Sequence, residues 1–255
     1  SGVLSAISAA GDVSVECQLS VTCEDGTGMG DLYGVTCGNF TNRGAYSFST
    51  NGVNTCCAVN AAASVTNEEN ALIDIDMLDC ADAVGIQSRT FDNSGTIEIK
   101  IESDARAVGI GRYESDGTTS TAGGWSNAGS IEIEVSGSGG AVAAFGGSSL
   151  AGIDWRSNDG FSFDNSGTLT VTATAAAPSP LSEDNWPSWQ YFDTLGVGLM
   201  PGGDSSFDNS GTMTISALNG YTAGLYIGGS GDYNISMKNS GDLDVTATTA
   251  GGDNI

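Results

Sequence analysis

The sequence contains nearly the same twelve residues twice, as SFDNSGTLTVTA at 162–173 and as SFDNSGTMTISA at 206–217. Each copy includes an Asn-Ser-Gly triplet, and aligning the whole chain on that glycine extends the series to eight repeats. Two members need a relaxed pattern, because Gly11 and Ala71 lack the asparagine two residues earlier. The eight anchor residues are Gly11, Gly44, Ala71, Gly95, Gly129, Gly167, Gly211 and Gly241.

Positions at fixed distances from the anchor agree in character across the eight repeats. The residues two and four positions after it are all apolar, and the residue between them never is, which is typical of a strand with one buried face. The residue four positions before it is apolar in seven of eight repeats. These three columns are Val13, Tyr46, Ile73, Ile97, Ile131, Leu169, Met213 and Leu243; Val15, Phe48, Ile75, Ile99, Ile133, Val171, Ile215 and Val245; and Ile7, Phe40, Asn67, Phe91, Trp125, Phe163, Phe207 and Met237.

A second, shorter strand follows in each repeat, such as AVGI at 83–86 and again at 107–110, so we expect two strands per rung. One such repeat has no means of burying its apolar face alone, so we expect the repeats to stack as a solenoid. The sequence therefore predicts an all-β fold, a single-domain parallel β-helix of about eight rungs with loop insertions, over residues 1–255. Parallel crossovers are overwhelmingly right-handed, which favours a right-handed β-helix and leaves a left-handed one as the alternative.

The asparagines of the triplets are interpreted as structural residues and not as ligands. Glycine and asparagine tolerate the positive φ that a sharp corner demands. At the spacing between strands, about 4.8 Å, stacked asparagine side chains can also hydrogen-bond from rung to rung. We expect partial ladders at one corner, formed by Asn42, Asn93, Asn127, Asn165, Asn209 and Asn239.

The motifs FDNSGTIEI and AVGIG resemble the drifting repeats of secreted right-handed β-solenoids, especially autotransporter passengers and filamentous-haemagglutinin-type adhesins. The resemblance covers almost the whole chain, but it is one of repeat style without a specific signature. This sequence departs from autotransporters in showing no barrel domain, and from the usual adhesins in its cysteine-rich start. The resemblance implies an extracellular or cell-surface location and a structural or adhesive role.

The charge balance excludes several classes of function. The chain has 7 Lys+Arg, 31 Asp+Glu and no histidine, for a net charge of −24. Such a field repels nucleic acid and anionic lipid, and no apolar run approaches the roughly 20 residues that span a bilayer. We therefore expect no nucleic-acid binding and no membrane insertion. Without histidine, the commonest general base is missing, so we expect neither an enzyme nor a catalytic cofactor.

Acidic residues on the strands suggest two kinds of chemistry. Asp74, Glu98 and Glu132 are expected to stack in consecutive rungs, where like charges repel. The row is a candidate for a structural cation such as Ca²⁺, and plain solvation is the simpler alternative. A polysaccharide lyase or hydrolase is the least favoured function, because few basic residues are available to hold an acidic sugar. The candidates are Arg106, Arg112 and Arg156.

All six cysteines lie within residues 1–80, which we expect to be disulfide-rich N-terminal rungs. An even, clustered set in a chain without histidine favours disulfides over zinc and suggests an oxidising compartment. Cys23 and Cys56 each lie twelve residues after the anchor of their own repeat, which predicts a disulfide between adjacent rungs. Free cytosolic thiols are the alternative. The other pairs, obtained by elimination only, are Cys17 with Cys37 and Cys57 with Cys80.

Residues 174–195 are an insertion rich in proline and aromatic residues and are expected to form a long loop. Its aromatic side chains are candidates for stacking on glycans or packing on a partner, and folding back as a local lid is the alternative. Asn39 and Asn234 match the N-glycosylation pattern. The aromatic candidates are Trp186, Trp189, Tyr191 and Phe192.

The two ends of the solenoid carry the leading functional hypothesis. No polar cap or amphipathic helix is recognisable beyond the first or last repeat, so both ends expose strand edges. A head-to-tail contact that does not close generates a filament. We therefore expect a secreted structural protein that assembles with itself through its terminal rungs into an extracellular filament. The start at Ser1 fits a signal peptide already removed. The alternative is a surface adhesin or carbohydrate-binding β-helix that contacts surface glycans.

Overall fold

The structure is a computed structural model that describes residues 3–26, 30–112, 123–137, 150–157, 159–175, 194–220, 222–228 and 232–248. These residues form twenty strands and no helix, which confirms the all-β prediction. The strands are β1 (Val3–Ser8), β2 (Val13–Val15), β3 (Gln18–Cys23), β4 (Asp31–Asn42), β5 (Ala45–Asn51), β6 (Thr55–Asn67), β7 (Leu72–Ser88), β8 (Thr90–Asn93), β9 (Thr96–Arg112), β10 (Trp125–Asn127), β11 (Ser130–Gly137), β12 (Leu150–Arg156), β13 (Ser162–Asn165), β14 (Thr168–Ala175), β15 (Thr194–Met200), β16 (Ser205–Asn209), β17 (Thr212–Leu218), β18 (Thr222–Ile227), β19 (Ile235–Asn239) and β20 (Asp242–Thr248).

Each rung has three sides, which we call A, B and C in chain order. In the first rung they are β1, β2 and β3, and in the eighth they are β18, β19 and β20. Four long strands turn a corner without interruption: β4 and β6 from side A to side B, and β7 and β9 from side C to side A of the next rung. All pairings between rungs in the described part of the chain are parallel, so the chain winds as a coil of eight rungs. The predicted parallel β-helix is confirmed.

Side B is the strand that the sequence did not reveal as a separate element. Its strands are as short as three residues, as in β10, where only Trp125 belongs to an apolar column. Alternation with a period of two is not readable over so short a segment. The predicted two strands per rung are therefore three.

The first repeat is anchored at Cys17 and not, as predicted, at Gly11. Cys17 occupies the same place in the backbone ladder as the later anchors, because its carbonyl accepts a hydrogen bond from Ala45 N at 2.7 Å. The core residues that follow this anchor are Leu19 and Val21 on side C. The prediction was wrong because it sought a glycine, and Gly11 is the nearest one.

The column before the anchor also needs correction in two rungs. Val13 fills it in the first rung, whereas Ile7 lies on side A. In the third rung Val65 fills it, because Asn67 precedes its anchor by four residues and not two. Asn70, with φ at 64°, takes up the extra length. The corrected column is apolar in every rung: Val13, Phe40, Val65, Phe91, Trp125, Phe163, Phe207 and Met237.

Aromatic rings stack within this column along the axis of the core. The ring of Trp125 lies between Phe91 and Phe163, with centroid separations of 5.4 and 4.1 Å and nearly parallel planes. Phe163 stacks in turn on Phe207 at 5.3 Å. These side chains are buried, so the column supplies a large share of the apolar surface that stacking removes from water.

A continuous asparagine ladder runs along the corner between sides B and C. At each step the side-chain Nδ2 donates to the Oδ1 of the asparagine in the next rung, at 2.7–2.9 Å. Nδ2 also reaches a backbone carbonyl of that next rung, as from Asn127 to Thr168 O at 3.0 Å, which fixes the orientation of the amide. The predicted ladder is confirmed and gains one member. Its members are Asn42, Asn67, Asn93, Asn127, Asn165, Asn209 and Asn239.

Close approach between rungs explains the glycine anchors, and positive φ does not. Among the described glycines only Gly52 and Gly220 have positive φ. A Cβ added to Gly129 would lie 2.1 Å from Gly95 O, and one added to Gly167 would lie 2.0 Å from Gly129 O. Such contacts are too short for any side chain, so these corners require glycine, because each lies against the carbonyl of the corner before it. Ala71 is the exception, at the corner where the repeat is longer.

Candidate functional site

The first rung leaves one edge of the β-helix open within the described residues. Strands β1, β2 and β3 each pair only with the second rung, on their other edge. Val3 is 71% exposed and Leu4 is 51% exposed, whereas Leu32, which lies beside Leu4 in the second rung, is buried. This end of the molecule therefore presents both unpaired backbone and apolar side chains.

The eighth rung is open in the same way at the opposite end. Among the residues that the structure describes, strands β18, β19 and β20 each pair only with the seventh rung. Met237 is 59% exposed, Leu243 37% and Val245 40%, although all three belong to columns that are buried in the rung before. The core columns thus reach the surface at this end.

The asparagine ladder also ends unfinished here. Asn239 Oδ1 accepts from Asn209 Nδ2 at 2.7 Å, but within the described part of the chain Asn239 Nδ2 has no acceptor. At the opposite end of the ladder, Asn42 Oδ1 accepts from the backbone N of Gly44 at 3.3 Å. The Oδ1 of the first ladder member, Asn42, therefore accepts a hydrogen bond, whereas the Nδ2 of the last member, Asn239, donates none among the described residues.

An exposed arginine ties the first rung to the third. Arg43, in the second rung, contacts Glu16 and Glu68, each at 2.7 Å. A hydrogen bond from Ser14, together with Arg43, lowers the pKa of Glu16. Sequence analysis missed this arrangement, because the three residues lie in irregular positions between repeat columns.

The predicted row of Asp74, Glu98 and Glu132 does stack in consecutive rungs on side C. The three carboxylates line a shallow groove of about 290 Å³, together with Lys100. Among the described residues, no group of three or more acidic, cysteine or histidine side chains is arranged to hold a metal ion. Cation binding by this row stays a prediction, and the geometry adds nothing in its favour.

The other candidate contacts divide between described and undescribed residues. The side-chain amide of Asn39 donates a hydrogen bond to Asp12 and accepts one from Ser64, each at 2.7 Å. Asn234 is exposed, and its backbone N–H donates a hydrogen bond to Asp204 Oδ1 at 2.8 Å. Glycosylation at either asparagine stays a prediction. The aromatic candidates lie outside the described residues, as do the side chains of Arg112 and Arg156; these aromatic residues are Trp186, Trp189, Tyr191 and Phe192. Arg106 forms an ion pair with Asp82 at 3.0 Å.

The predicted pairing of Cys23 with Cys56 is wrong. Cys23 lies beside Thr50 on side C, whereas Cys56 lies between Leu32 and Ala83 on side A. The error follows from the misplaced anchor of the first repeat, since the twelve-residue offset was counted from Gly11. No disulfide joins any of the six cysteines, all of which lie in the described part of the chain.

The remaining cysteines differ strongly in environment. Cys17 is exposed at its corner, and Cys37 is buried. Burial raises the pKa of the Cys57 thiol to about 12, and burial with the nearby charge of Asp12 raises that of Cys37 to about 11. Buried thiols of this kind stay protonated at neutral pH and react slowly. The predicted pairs Cys17–Cys37 and Cys57–Cys80 are not formed.

Comparison with protein-family models, with curated proteins and with solved structures found no match for this chain. The family resemblance inferred from the repeats stays a prediction. None of the described residues forms a helix of the length and hydrophobicity needed to cross a membrane.

Proposed function

We propose that this chain is a structural protein that stacks end to end, with the eighth rung of one molecule on the first rung of the next, to form an extracellular β-solenoid filament. The observation that carries the proposal is the exposure of the core columns at both ends, at Leu4 on one and at Met237 and Val245 on the other. The location outside the cell rests on the sequence alone, through the repeat resemblance and the cysteine-rich start.

The apolar columns of the two ends match when the rungs are continued in the same register. On side C, Leu243 would meet Leu19 and Val245 would meet Val21, since these residues share columns through all the intervening rungs. On side B, Met237 would meet Val13. The contact would remove exposed apolar surface from water at about 25 cal/mol per Å². It would also pair the free strand edges.

Charge supports the same register in a chain with a net charge of −24. Strands β1, β2 and β3 contain no charged residue. The charged strand residues of the eighth rung would therefore face neutral partners, in contrast to Glu98 and Glu132, which lie side by side within the molecule. The facing pairs would be Lys238 with Ser14, Asp242 with Gln18 and Asp244 with Ser20.

One corner of the junction does not repeat the internal geometry. Cys17 would take the place of an anchor glycine against Gly241, whereas the anchors Gly129, Gly167 and Gly211 leave no room for a Cβ. Val15 would meet Asn239 and offer no acceptor to its Nδ2. We therefore expect the junction to be weaker at this corner than the contact between two internal rungs.

Assembly of matched charge variants tests the proposal. Val245→Asp places a carboxylate in a core column at the junction, whereas Thr246→Asp adds the same charge one residue along on the outer face of β20. We expect the unmodified chain and Thr246→Asp to sediment as polymers and Val245→Asp to remain monomeric. An unmodified chain that stays monomeric at high concentration, or equal assembly of the two variants, would overturn the proposal.

A further inference from the structure

Three sulfur atoms meet in the core between the third and fourth rungs. Cys56 Sγ lies 2.6 Å from Cys80 Sγ and 3.5 Å from Met77 Sδ. Heavy atoms in van der Waals contact stay about 3.5–4.0 Å apart, whereas a disulfide brings two sulfurs to about 2.0 Å. The contact between the two cysteines is therefore much closer than packing alone accounts for.

The backbone around Cys80 turns this side chain into the core. Asp79 adopts φ of 53°, and the pairing of β7 with β9 shifts register on both sides of Cys80. Ser103 Oγ lies within hydrogen-bond distance of two carbonyls at this corner, Cys80 O at 2.6 Å and Arg106 O at 2.9 Å, and its single hydroxyl proton is shared between them. Cys80 and Cys56 are both buried, so their approach does not depend on an exposed or mobile segment.

The neighbouring cysteine points to a different partner. Cys57 Sγ donates to Val59 O at 3.4 Å, although Cys57 lies next to Cys56 in the chain. Alternation along a strand sends adjacent side chains to opposite faces. Only Cys56 of this adjacent pair is therefore directed at Cys80.

We propose that the oxidised protein carries a disulfide between Cys56 and Cys80, which closes one complete turn of the β-helix. A bond forms between the two Sγ atoms as the sulfur–sulfur bond of a disulfide oxidant, such as oxidised glutathione, breaks. The two cysteine thiols lose two protons and two electrons. The oxidant takes up both and leaves as two thiols.

The surroundings also predict when this bond forms. The hydrogen bond with Cys80, together with burial, raises the pKa of the Cys56 thiol. Because the thiolate is the attacking species, a folded and fully reduced protein is expected to oxidise slowly at this site. We therefore expect the bond to form before the third and fourth rungs close on each other.

Mass mapping after refolding tests the pairing. The reduced, unfolded 255-residue chain is refolded with oxidised and reduced glutathione, alkylated in denaturant and cut at acidic residues, including Glu68 and Glu69, which separates Cys56 from Cys80. We expect these two cysteines in one linked peptide pair that disappears on reduction, and Cys17 alkylated without reduction. Alkylation of both Cys56 and Cys80 without reduction would overturn the proposal.

Two variants make the assignment specific. In Cys57→Ala, the linked pair is expected to persist, because Cys57 takes no part in it. In Cys80→Ala, Cys56 is expected to become open to alkylation in denaturant. Loss of the linked pair in a Cys57→Ala chain whose far-ultraviolet circular dichroism is unchanged would show that Cys57 is the true partner and would contradict the proposal.

Discussion

Leu243 lies directly beside Met213 on side C, yet Leu243 is 37% exposed whereas Met213 is fully buried. The two residues occupy the same column, one rung apart, and differ in that a further rung covers Met213. The eighth rung therefore has apolar residues at the same positions as an internal rung, but these residues are exposed. This combination is the physical basis for the proposed stacking.

Interrupting the asparagine ladder at its centre should destabilise the fold. Asn127→Ala removes the acceptor of Asn93 Nδ2 and the donor to Asn165 Oδ1, both in buried surroundings. Leaving buried polar groups unpaired costs about 1–3 kcal/mol each. We expect a loss of about 2–4 kcal/mol in the free energy of unfolding, measured by denaturant titration.

The end of the ladder provides the control for this prediction. Asn239→Ala affects an exposed residue that bonds only to Asn209 within the ladder, so its cost should be well below that of the central substitution. Equal costs at the two positions would mean that the ladder contributes nothing beyond the local corner.

Substituting an anchor glycine should separate the rungs at the corner. Gly129→Ala places a Cβ 2.1 Å from Gly95 O, a contact that only backbone movement relieves. Overpacking of this kind costs about 1–3 kcal/mol. Gly11→Ala is the matched control, because a Cβ there meets nothing within 4 Å. Thermal denaturation of both variants should show a lower Tm for Gly129→Ala alone, and equal Tm values would contradict the packing explanation.

The ion pairs of Arg43 with Glu16 and Glu68 should slow local opening of the first rung at neutral pH and should be lost in acid. Because the pKa of Glu16 is lowered in the folded state, its contribution is present above the ordinary pKa and is lost as the pH falls through the lowered one. Arg43→Met should speed amide hydrogen exchange in β2 and β3 at neutral pH. The unmodified chain and the variant should converge in acid. Identical exchange at neutral pH would show that this exposed ion pair contributes nothing measurable.

Redesigning the mismatched corner should strengthen assembly. Cys17→Gly removes the Cβ that would meet the carbonyl of Gly241, and Val15→Asn supplies an acceptor for Asn239 Nδ2. We expect the double variant to assemble at a lower critical concentration than the unmodified chain, measured by sedimentation. An increase in the critical concentration, with the monomer's stability unchanged, would argue against the proposed register.

The fold was predictable because its decisive signal is repeated. Alternation at Ile97, Ile99 and their equivalents recurs in rung after rung, so one drifting repeat does not hide it. The register failed where a repeat changes length, as between Asn67 and Ala71, because spacing alone does not reveal an extra turn residue. It failed again at Cys17, because within one molecule no earlier corner carbonyl lies against the first rung, and no glycine is needed there.

The site was less predictable, because it depends on contacts between residues that share no motif. The regular terminal repeats predicted open ends, but the extent to which Met237 is exposed is visible only in the structure. The approach of Cys56 to Cys80 depends on the left-handed residue Asp79 and on the support of Ser103. Neither the conformation of Asp79 nor the contact of Ser103 with Cys80 has a sequence signature. The prediction, which paired cysteines at equal distances from their anchors, therefore chose Cys23 as the partner of Cys56, and this was wrong.

Electron cryomicroscopy of the assembled chain tests the central claim most directly. Eight rungs at about 4.8 Å each predict filaments whose subunits repeat every 38 Å or so along the axis, with Val245 of one subunit packed on Val21 of the next. Isolated rods of that length, or subunits joined side by side with the end rungs still exposed, would contradict the account.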